Sequence, residues 1–582
     1  MKHIFILFIL LPLTLSGQVR DPRVREYMSP ERIVWVNDAH LISGIENLLA
    51  NGTGQADLSN GNVVRIKTSE SDHPALLLDF GRELQGGLQI VTGFSSEKEI
   101  TVRIRLGESV SEAMSEVGEE SGATNDHAMR DYTIKLPWLG NLEIGNSGFR
   151  FVRIDVLDDN VELQLKEVRA ISVFRDIPYK GSFRCSDERL DRIWETGAYT
   201  VHLNMQEYLW DGIKRDRLVW IGDMYPEVMT INAVFGYNEV VPKTLDFARD
   251  ITPLPAWMNG FSSYSISWLM IHYDWFRHNG NLEYLNDNKE YITGLLRQLI
   301  SYIGPDGVER LGGIRFLDWP SSENKAAVDA GLQAFCILAM EAGKEICIAL
   351  GENVLASECA DAKSRLVSAS AIACKDFSGS SLPQDAPGQK QAAALMSLSG
   401  LMDSKIADKE YISYNGSHGF STFFGFFMLE AMALAGNYAG AMDIIKEYWG
   451  AMIDLGATTF WEDFDIDWIE NAAPITEPVP EGKIDVHGSY GAYCYKKFRH
   501  SLCHGWASGP TYWLSRHVLG IYPAEPGFKK VIISPNLGNL DWAEGSYPTP
   551  YGEIKVRHEK RKNGSIKSMI DLPEGVKMVR GY

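Results

Sequence analysis

Two acidic segments that contain tryptophan carry the side chains of this sequence best suited to acid–base chemistry. The first, DGIKRDRLVWIGD, contains Asp211, Asp216 and Asp223 with basic residues between them. The second, GATTFWEDFDIDW, carries Glu462 directly after Trp461. Hydrolysis of a glycosidic bond needs two carboxyl groups, one to protonate the leaving oxygen and one to activate water or to attack carbon. Each segment could supply one group if the fold brings them together, and a solvated, salt-bridged loop is the alternative interpretation.

The first segment has two features that argue against a plain solvated loop. Its charges alternate with bulky apolar residues, including Trp220. Asp211 and Arg215 are four residues apart, and this spacing predicts an ion pair across one helical turn.

Two further segments are candidates for flat sugar-binding platforms. FLDWP contains Trp319, and SLCHGWASGP contains His504 and Trp506. An indole ring offers a large apolar face and one N–H donor, which suits the face of a sugar as well as a protein core. A packed loop is therefore the alternative for either segment alone, whereas both together with the acidic segments favour a carbohydrate site.

Metal, redox and nucleotide chemistry are not indicated. The sequence has no GxSxG elbow, GxxxxGK[ST] loop or GxGxxG fingerprint. Its seven cysteines are an odd, scattered set without a CxxC pair, which is not the pattern of a disulfide framework or a zinc site. His500 and His504 have the spacing of two ligands on a helix face, but the glutamate of HExxH is absent. We therefore predict no metal and no cofactor.

Charge and the N-terminal segment bound the partners and the location. A formal net charge of −20 argues against a nucleic-acid partner, because binding phosphates needs an electropositive face. Residues 1–17 have a short basic start, an apolar run and small residues at the end, which predicts a cleaved signal peptide; a buried N-terminal strand is the alternative. No later apolar segment reaches about 18 uncharged residues, so we expect no membrane insertion in the mature form. We expect an exported protein, periplasmic or secreted, and the sequence gives no oligomeric state.

The periodicity of apolar residues changes twice along the chain. Alternating positions predict strands at 75–94, 98–108, 131–137, 149–157 and 163–175, as in an antiparallel sandwich. A helical period predicts helices at 187–206, with Ser186 or Asp187 as the N-cap, and at 224–236, 239–251, 263–279, 283–304, 325–351, 355–373, 388–400, 421–436, 438–454 and 506–519. Strands return at 529–535, 552–561 and 565–571. Successive helical hairpins would close into a toroid, although a solenoid would give the same pattern.

The order of these patterns predicts a multidomain α+β protein. An N-terminal β-sandwich would occupy residues 18–178, a helical domain 179–522 and a small C-terminal β-sheet domain 523–582.

The motifs resemble those of glycoside hydrolase family 78, the α-L-rhamnosidases. DGIKRDRLVWIGD is similar to the family's Asp-x3-Arg-acid signature, GATTFWE to its GATT-x-WE, and SLCHGWASGPTYWLSRHVLGI to the stretch before its C-terminal sheet. GFRFVRIDV and FRCSDERLDRIW also look like family segments, and the resemblance runs in family order from about residue 75 to 540. It implies a central (α/α)6 toroid, inversion of anomeric configuration and no cofactor.

The resemblance also implies roles for single residues. Asp216 occupies the general-acid position and Glu462 the general-base position, and an inverting pair stands about 6.5–9.5 Å apart. The sugar-binding pocket is expected to contain Asp211, Arg215, Trp220, Asp223, Trp319, His504 and Trp506, and Trp461 beside the base is predicted to bind substrate as well.

One position departs from the family pattern. Many members carry Glu where this chain has Asp216, whose proton is presented about an ångström differently, and misplacement of that size can cost about a hundredfold in rate. The neighbouring Arg215 and Arg217 are expected to lower its pKa, whereas a general acid wants it raised.

The predicted function is that of an inverting exo-glycosidase that removes terminal α-L-rhamnosyl residues from plant or microbial glycans. Another (α/α)6 hydrolase, for a different α-linked sugar or an unsaturated uronide, is the nearest alternative. A non-catalytic carbohydrate-binding relative is favoured if Asp216 cannot act as an acid. The tryptophan and carboxylate loops disfavour a helical protein-interaction scaffold.

Overall fold

The computed structural model describes residues 21–579, apart from 59–60, 119, 121 and 126–129. The predicted signal peptide, residues 1–17, lies outside the described residues. Along the described chain, antiparallel strands come first, helices follow, and a small group of strands ends the fold. The predicted order of β, α and β patterns is therefore confirmed.

The N-terminal part forms a single nine-stranded antiparallel sheet. Its strands are β1 (Arg23–Met28), β2 (Arg32–Val36), β3 (Ile42–Ser43), β4 (Val64–Lys67), β5 (Ala75–Thr92), β6 (Glu99–Gly107), β7 (Asp131–Pro137), β8 (Asn141–Val156) and β9 (Glu162–Arg175). They are ordered β3-β4-β9-β5-β8-β6-β7, with β1 also on β9 and β2 on β5. A short helix, α1 (Val110–Met114), follows β6. The predicted strands are present, and β8 begins eight residues earlier than its apolar alternation indicated.

The long strand β5 bends where it changes partners. Its pairing with β8 shifts register between Asp79 and Leu84 and again between Gly86 and Gly87. A Cβ atom on Gly86 would lie 2.0 Å from the carbonyl oxygen of Ile171, so this approach to β9 requires glycine. With this bend, most residues of β5 are buried, and its apolar side chains belong to the core of the N-terminal sheet.

The helical region begins at Glu188 and extends to Val518. Its helices are α2 (Glu188–Asn204), α3 (Met224–Val234), α4 (Val240–Asp250), α5 (Ser262–Asn279), α6 (Leu282–Asp287), α7 (Lys289–Ser301), α8 (Lys325–Ala349), α9 (Asn353–Ser368), α10 (Ser370–Ala373), α11 (Lys375–Ser378), α12 (Gln389–Leu398), α13 (Ser404–Ile406), α14 (Gly425–Leu434), α15 (Tyr438–Ile444), α16 (Gly450–Asp454), α17 (Val486–Ser489) and α18 (Gly509–Trp513). Short π-helical turns at Ala407–Ile412, Ile445–Trp449 and Leu514–Val518 extend three of them. Asp187 caps α2 as predicted, its side chain accepting a hydrogen bond from Arg189 N.

Several helical predictions need correction. The helix predicted at 355–373 divides into α9 and α10 at Ala369, and α11 and α17 were not predicted. The helix predicted at 283–304 is two helices, α6 and α7, because the chain leaves helical geometry at Asn288, whose side chain donates to Tyr284 O and Asp246. The segment Ser404–Ile412 is helical although no helix was predicted there. It is short, and its charged residues hide a weak apolar period.

The first and last helices of this region pack against each other. Both α2 and α3 contact α18. Trp194 Nε1 on α2 donates to Ser515 Oγ at 2.8 Å, and Thr511 Oγ1 on α18 donates to Trp194 O at 3.0 Å. The helical region therefore closes on itself, which distinguishes it from a solenoid, where each repeat touches only its neighbours.

The other strands of the described chain form two small C-terminal sheets and one separate pair. The strands are β10 (Ser182–Cys185), β11 (Ala472–Ala473), β12 (Ile484–Asp485), β13 (Ile521–Pro523), β14 (Lys530–Ile533), β15 (Trp542–Thr549), β16 (Gly552–Lys560), β17 (Ile566–Asp571) and β18 (Lys577–Val579). One C-terminal sheet has the order β10-β15-β16-β17 and the other β13-β14-β18, while β11 and β12 pair inside the helical region. The edge strand β10 thus precedes the helices in sequence but belongs to the C-terminal sheet. No helix of the described chain is long and apolar enough to cross a membrane.

Candidate active site

A pocket of about 170 Å³ gathers residues from all four segments that the sequence marked. Its lining consists of Asp211, Arg215, Asp216, Trp220, Asp223, Phe261, Tyr264, Phe316, Trp319, Glu462, Cys494, Tyr495, His504 and Trp506. The pocket therefore contains every residue predicted for the site except Trp461.

Backbone hydrogen bonds join three of these segments to one another. Gly212 and His504 form an antiparallel bridge, and Gly505 N donates to Asp211 O at 2.8 Å. His504 N donates to Phe460 O at 2.9 Å, and Glu462 N to Ser501 O at 3.0 Å. The segments need no regular helix or strand of their own, because each completes the hydrogen bonds of the next.

One guanidinium lies between the two predicted catalytic carboxylates. Arg215 Nη1 is 3.2 Å from Glu462 Oε1, and Arg215 Nε is 3.7 Å from Asp216 Oδ1. Both nitrogens belong to one rigid fork, so the nearest carboxylate oxygens are at most about 9 Å apart. The same guanidinium lies over the ring of Tyr495, 5.1 Å from its centroid.

Glu462 is buried and held by several donors. Its Oε2 accepts from Ser501 N at 3.0 Å, and its Oε1 lies 3.6 Å from His504 Nε2. Burial raises the pKa of Glu462 to about 7, against the opposing charge of Arg215. Burial also lowers the pKa of His504 well below its ordinary value, so that imidazole is neutral near pH 7.

Asp216 sits at a strained turn of the chain. It has a φ of 53° and Arg217 a φ of 59°, and consecutive left-handed residues other than glycine are uncommon. Trp220 Nε1 donates to Asp216 Oδ2 at 2.9 Å, which fixes the carboxyl group at the pocket. Arg217 turns away, donating to Asn146 O and lying over the ring of Trp210. The position of Arg217 therefore does not support its expected electrostatic effect on Asp216.

The remaining pocket carboxyl groups, Asp211 and Asp223, are also buried. Burial raises the pKa of each well above its ordinary value. Asp211 Oδ1 accepts from Leu218 N at 2.9 Å, and Asp223 Oδ1 accepts from Tyr264 Oη at 2.6 Å. The predicted pair between Asp211 and Arg215 is wrong, because the segment is a loop rather than a helical turn and Arg215 reaches Glu462 instead.

Aromatic rings wall the pocket. Phe261 and Tyr264 stack with centroids 4.8 Å apart, and the ring of Trp220 meets both edge-on. Phe316 and Trp319 form another edge-on pair at 5.2 Å.

Several wall residues were not among the predicted site residues: Phe261, Tyr264, Phe316, Cys494 and Tyr495. The first two follow a loop into a helix without any charged neighbour, and the last two lie in a glycine- and tyrosine-rich loop. The clustering of aromatic residues in these segments was the feature of the sequence that could have identified them as pocket residues, although the segments contain no carboxylate.

Trp461 does not line the pocket. It is 1% exposed and packs against Phe464 and His500 behind the loop that carries Glu462. The predicted substrate contact through Trp461 is therefore not supported, and the side chain is part of the core beneath the loop.

His500 and His504 have different partners. Asp463 N donates to His500 Nε2 at 2.9 Å, whereas His504 faces the pocket carboxylates. Among the described residues, a group with metal-ligand spacing consists of Glu108, Glu112 and His487, and it lies outside the pocket.

The sequence of the helical region and of the strands after it matches known domains. Residues 178–518 match the family described as the bacterial alpha-L-rhamnosidase 6 hairpin glycosidase domain, and residues 520–579 match the bacterial alpha-L-rhamnosidase C-terminal domain. The chain belongs to this rhamnosidase family. An alpha-L-rhamnosidase of Alteromonas sp. (strain LOR) is 26% identical over 458 residues, 72% of this chain and 46% of that protein. The chain described here thus spans about half the length of this curated relative.

Solved rhamnosidase structures share the fold of this family member. The family 78 rhamnosidase of Bacillus sp. GL1 superposes with a TM-score of 0.72 at 22% identity, over 90% of this chain and 55% of that one. The rhamnosidase of Klebsiella oxytoca with rhamnose bound gives a TM-score of 0.64 at 18% identity, over 85% of this chain and 96% of that one. At these identities the likeness establishes the fold.

Proposed function

We propose that this protein is an inverting exo-α-L-rhamnosidase. The observation that carries the proposal is the pair of carboxylates, Asp216 and Glu462, held on one guanidinium inside a small aromatic pocket of a rhamnosidase fold. The upper limit of about 9 Å on the distance between their nearest oxygens is compatible with the separation of about 6.5–9.5 Å that leaves room for a water between the groups.

The exposure of the two carboxylates supports a division of labour. The side chain of Asp216 is 17% exposed and that of Glu462 is 4% exposed. The leaving group must depart towards solvent, which suits Asp216 as the acid that protonates its oxygen. The attacking water must be held within the pocket, which suits Glu462 as the base that takes its proton.

The pocket chemistry favours a neutral 6-deoxy sugar over a uronide. Rhamnose offers a methyl group to an aromatic wall and hydroxyl groups to carboxyl partners. A uronide would add its own carboxylate beside Asp211, Asp216, Asp223 and Glu462, where Arg215 is already shared by two of them. The added carboxylate would have to compete for that one guanidinium, and a buried charge without its own partner is costly.

The fold proposed for the helical region is an (α/α)6 toroid. A β-sandwich is proposed for the N-terminal part, since β5 and β9 each pair with three strands and the one sheet can therefore fold over into two layers. The closure of the helical region through α2 and α18 supports a ring, and the family description of six hairpins fits that arrangement.

A wider cleft of about 500 Å³ adjoins the pocket and supports exo action. Pro320, Asp463 and Tyr493 line this cleft and are chain neighbours of three pocket residues. Trp468 and Tyr490 stack in its wall with ring planes 1° apart. We propose that the pocket takes the terminal sugar and that the cleft takes the rest of the glycan.

The proposed setting is outside the cytoplasm, where plant or microbial polysaccharides are degraded. The N-terminal pattern of residues 1–17 supports export, and an oligosaccharide or glycoside is the proposed partner.

Hydrolysis of aryl α-L-rhamnoside beside a panel of other aryl glycosides, including an unsaturated uronide, tests the substrate. We expect turnover of the rhamnoside alone, with β-L-rhamnose as the first product seen by proton NMR. Turnover of another glycoside but not the rhamnoside would refute the substrate assignment, and first release of the α-anomer would refute inversion. Binding of rhamnose without turnover of any glycoside would favour the non-catalytic alternative.

A further inference from the structure

A buried polar cluster joins the N-terminal sheet to the pocket loops. The candidate ligand atoms of Glu108, Glu112 and His487 lie within 4.8 Å of one another, a spacing that a cation could use. The ammonium group of Lys214 occupies this place: its Nζ is 3.0 Å from a carboxylate oxygen of each glutamate. The same Nζ donates to Phe498 O at 2.9 Å and to His500 O at 2.7 Å. The chain thus supplies its own cation to the cluster.

Lys214 connects this cluster to the predicted catalytic residues. It directly precedes Arg215 and Asp216 in the pocket loop. Its side chain is buried, and a buried ammonium is stable only when it is paired and hydrogen-bonded. The two glutamates and two carbonyls meet that demand, so they fix the backbone from which Arg215 reaches Glu462.

Glu108 makes a second connection to Glu462. Glu108 Oε2 accepts from Leu502 N at 2.7 Å, and Glu108 Oε1 accepts from Ser501 Oγ at 3.2 Å. Ser501 N in turn donates to Glu462 Oε2 at 3.0 Å. A single residue, Ser501, therefore separates the carboxylate of the N-terminal sheet from the proposed base.

Glu112 shares the ammonium but lacks this connection. Glu112 Oε1 accepts from Lys214, and Glu112 Oε2 accepts from Glu108 N at 2.7 Å. Arg130 lies 3.4 Å from the same carboxylate. Glu112 therefore serves as a comparison, because it pairs with the same ammonium but makes no hydrogen bond to the segment that holds Glu462.

We propose that Glu108, which directly follows β6, is a positioning residue that holds the Ser501–Leu502 segment and thereby aims the carboxylate of Glu462. This inference rests on the proposed role of Glu462 as the base. It makes the N-terminal sheet part of the reaction machinery, since the helical region alone lacks the carboxylate that fixes this segment.

Steady-state kinetics of Glu108→Gln and Glu112→Gln on an aryl α-L-rhamnoside test the proposal. A glutamine keeps the shape of Glu108 but has one neutral acceptor oxygen in place of two carboxylate oxygens, so Leu502 N and Ser501 Oγ cannot both keep an acceptor there. We expect kcat of Glu108→Gln to fall by about tenfold to a hundredfold, because a base displaced by about an ångström loses that much. KM should stay within about twofold, since Glu108 does not line the pocket. Glu112→Gln should lose several times less in kcat.

Hydrogen exchange measured by mass spectrometry provides a second readout that needs no turnover. Glu108→Gln should speed amide exchange in peptides covering 459–463 and 498–504, and Glu112→Gln should leave 459–463 at the parental rate. Equal losses of kcat in the two variants, or parental exchange at 498–504 in Glu108→Gln, would overturn the proposal. A parent that hydrolyses no glycoside would instead refute the proposed function, and the exchange rates would still decide the positioning role.

Discussion

At the scale of single residues, Glu462 and Asp216 use one shared arginine but have different surroundings. Glu462 is deeply buried and accepts a backbone N–H group, whereas Asp216 stands nearer the opening and accepts the indole N–H of Trp220. Each carboxylate therefore has its own partner besides Arg215. Their different surroundings imply different sensitivities to substitution.

Replacement of each carboxylate should affect substrates differently. Glu462→Gln should lower kcat by about a thousandfold or more on every substrate, because no leaving group replaces an activated water. Asp216→Asn should lose far less on an aryl rhamnoside with a good leaving group than on a rhamnosyl glycan, since such a phenolate scarcely needs protonation. Kinetics of both variants on both substrates measure this contrast.

Two outcomes would reassign these roles. Equal loss on both substrates for Asp216→Asn would indicate a structural or binding role. Near-parental kcat/KM on the glycan for both variants would exclude the pair, and Asp211 and Asp223 would become the candidates for the acid.

The pH dependence should report the raised pKa of Glu462. A base must be ionised, so kcat/KM should decline as the pH falls through about 7. Arg215 lowers this pKa, as Lys214 does more weakly, whereas burial and the charge of Asp216 raise it. Arg215→Met removes a positive charge, so the acidic limb should move to higher pH by about one to three units. An unchanged midpoint in the pH profile of kcat/KM would contradict control by Arg215.

At the scale of elements, the pocket is carried by loops that rigid neighbours hold. The loop that bears Glu462 begins near Gly456, and the N-terminal sheet grips it there. Arg150 on β8 donates to Gly456 O at 3.0 Å and forms two hydrogen bonds, of 2.8 and 3.1 Å, with Asp79 on β5. Both side chains are buried, so this ion pair stabilises the contact between the sheet and the loop.

Loss of this pair should destabilise the fold. Arg150→Met leaves Asp79 with its ion pair to Arg32 and removes the donor to the Gly456 carbonyl, which should cost about 3 kcal/mol. Arg153→Met is the matched control, because Arg153 lies on the same strand and pairs with Asp155 at 2.6 Å but does not reach Gly456. The melting temperature of Arg150→Met should fall clearly below those of the parent and the control. Equal melting temperatures of the two variants would show that the contact with Gly456 contributes nothing.

At the scale of the whole molecule, sequence order and spatial order differ. Strand β10 precedes the helices yet pairs with β15 near the C-terminus, so the C-terminal sheet is joined to the start of the helical region. The N-terminal sheet reaches the pocket through Glu108 and Arg150. The C-terminal sheet and the surroundings of the pocket are therefore each built from segments that are distant in sequence.

Export of the whole protein and removal of residues 1–17 remain predictions. Expression of the full chain in a secreting host should give a mature protein that begins near Gln18, because the apolar run of residues 1–17 has the length of a signal segment. N-terminal sequencing of the purified protein measures this. An intact Met1 in the exported product would refute cleavage.

The sequence by itself determined the order of β, α and β parts, most helix and strand positions, and the segments that meet at the pocket. Apolar periodicity is a local property, since a residue's face in a helix or strand depends on near neighbours. Chemistry that needs two acids pointed to the carboxylates of two segments, Asp211, Asp216 and Asp223 in the first and Glu462 in the second. The resemblance to family 78 then assigned the acid to Asp216 and the base to Glu462.

Only the tertiary structure decided which side chains meet. Arg215 pairs with Glu462 across 247 positions of sequence, not with Asp211 four positions away. Trp461 faces the core although its neighbour Glu462 faces the pocket. Glu108 reaches Leu502 across 394 positions, which no local pattern encodes. The physical reason is that packing and the pairing of buried charges are set by contacts between distant segments, and these exist only once the chain has folded.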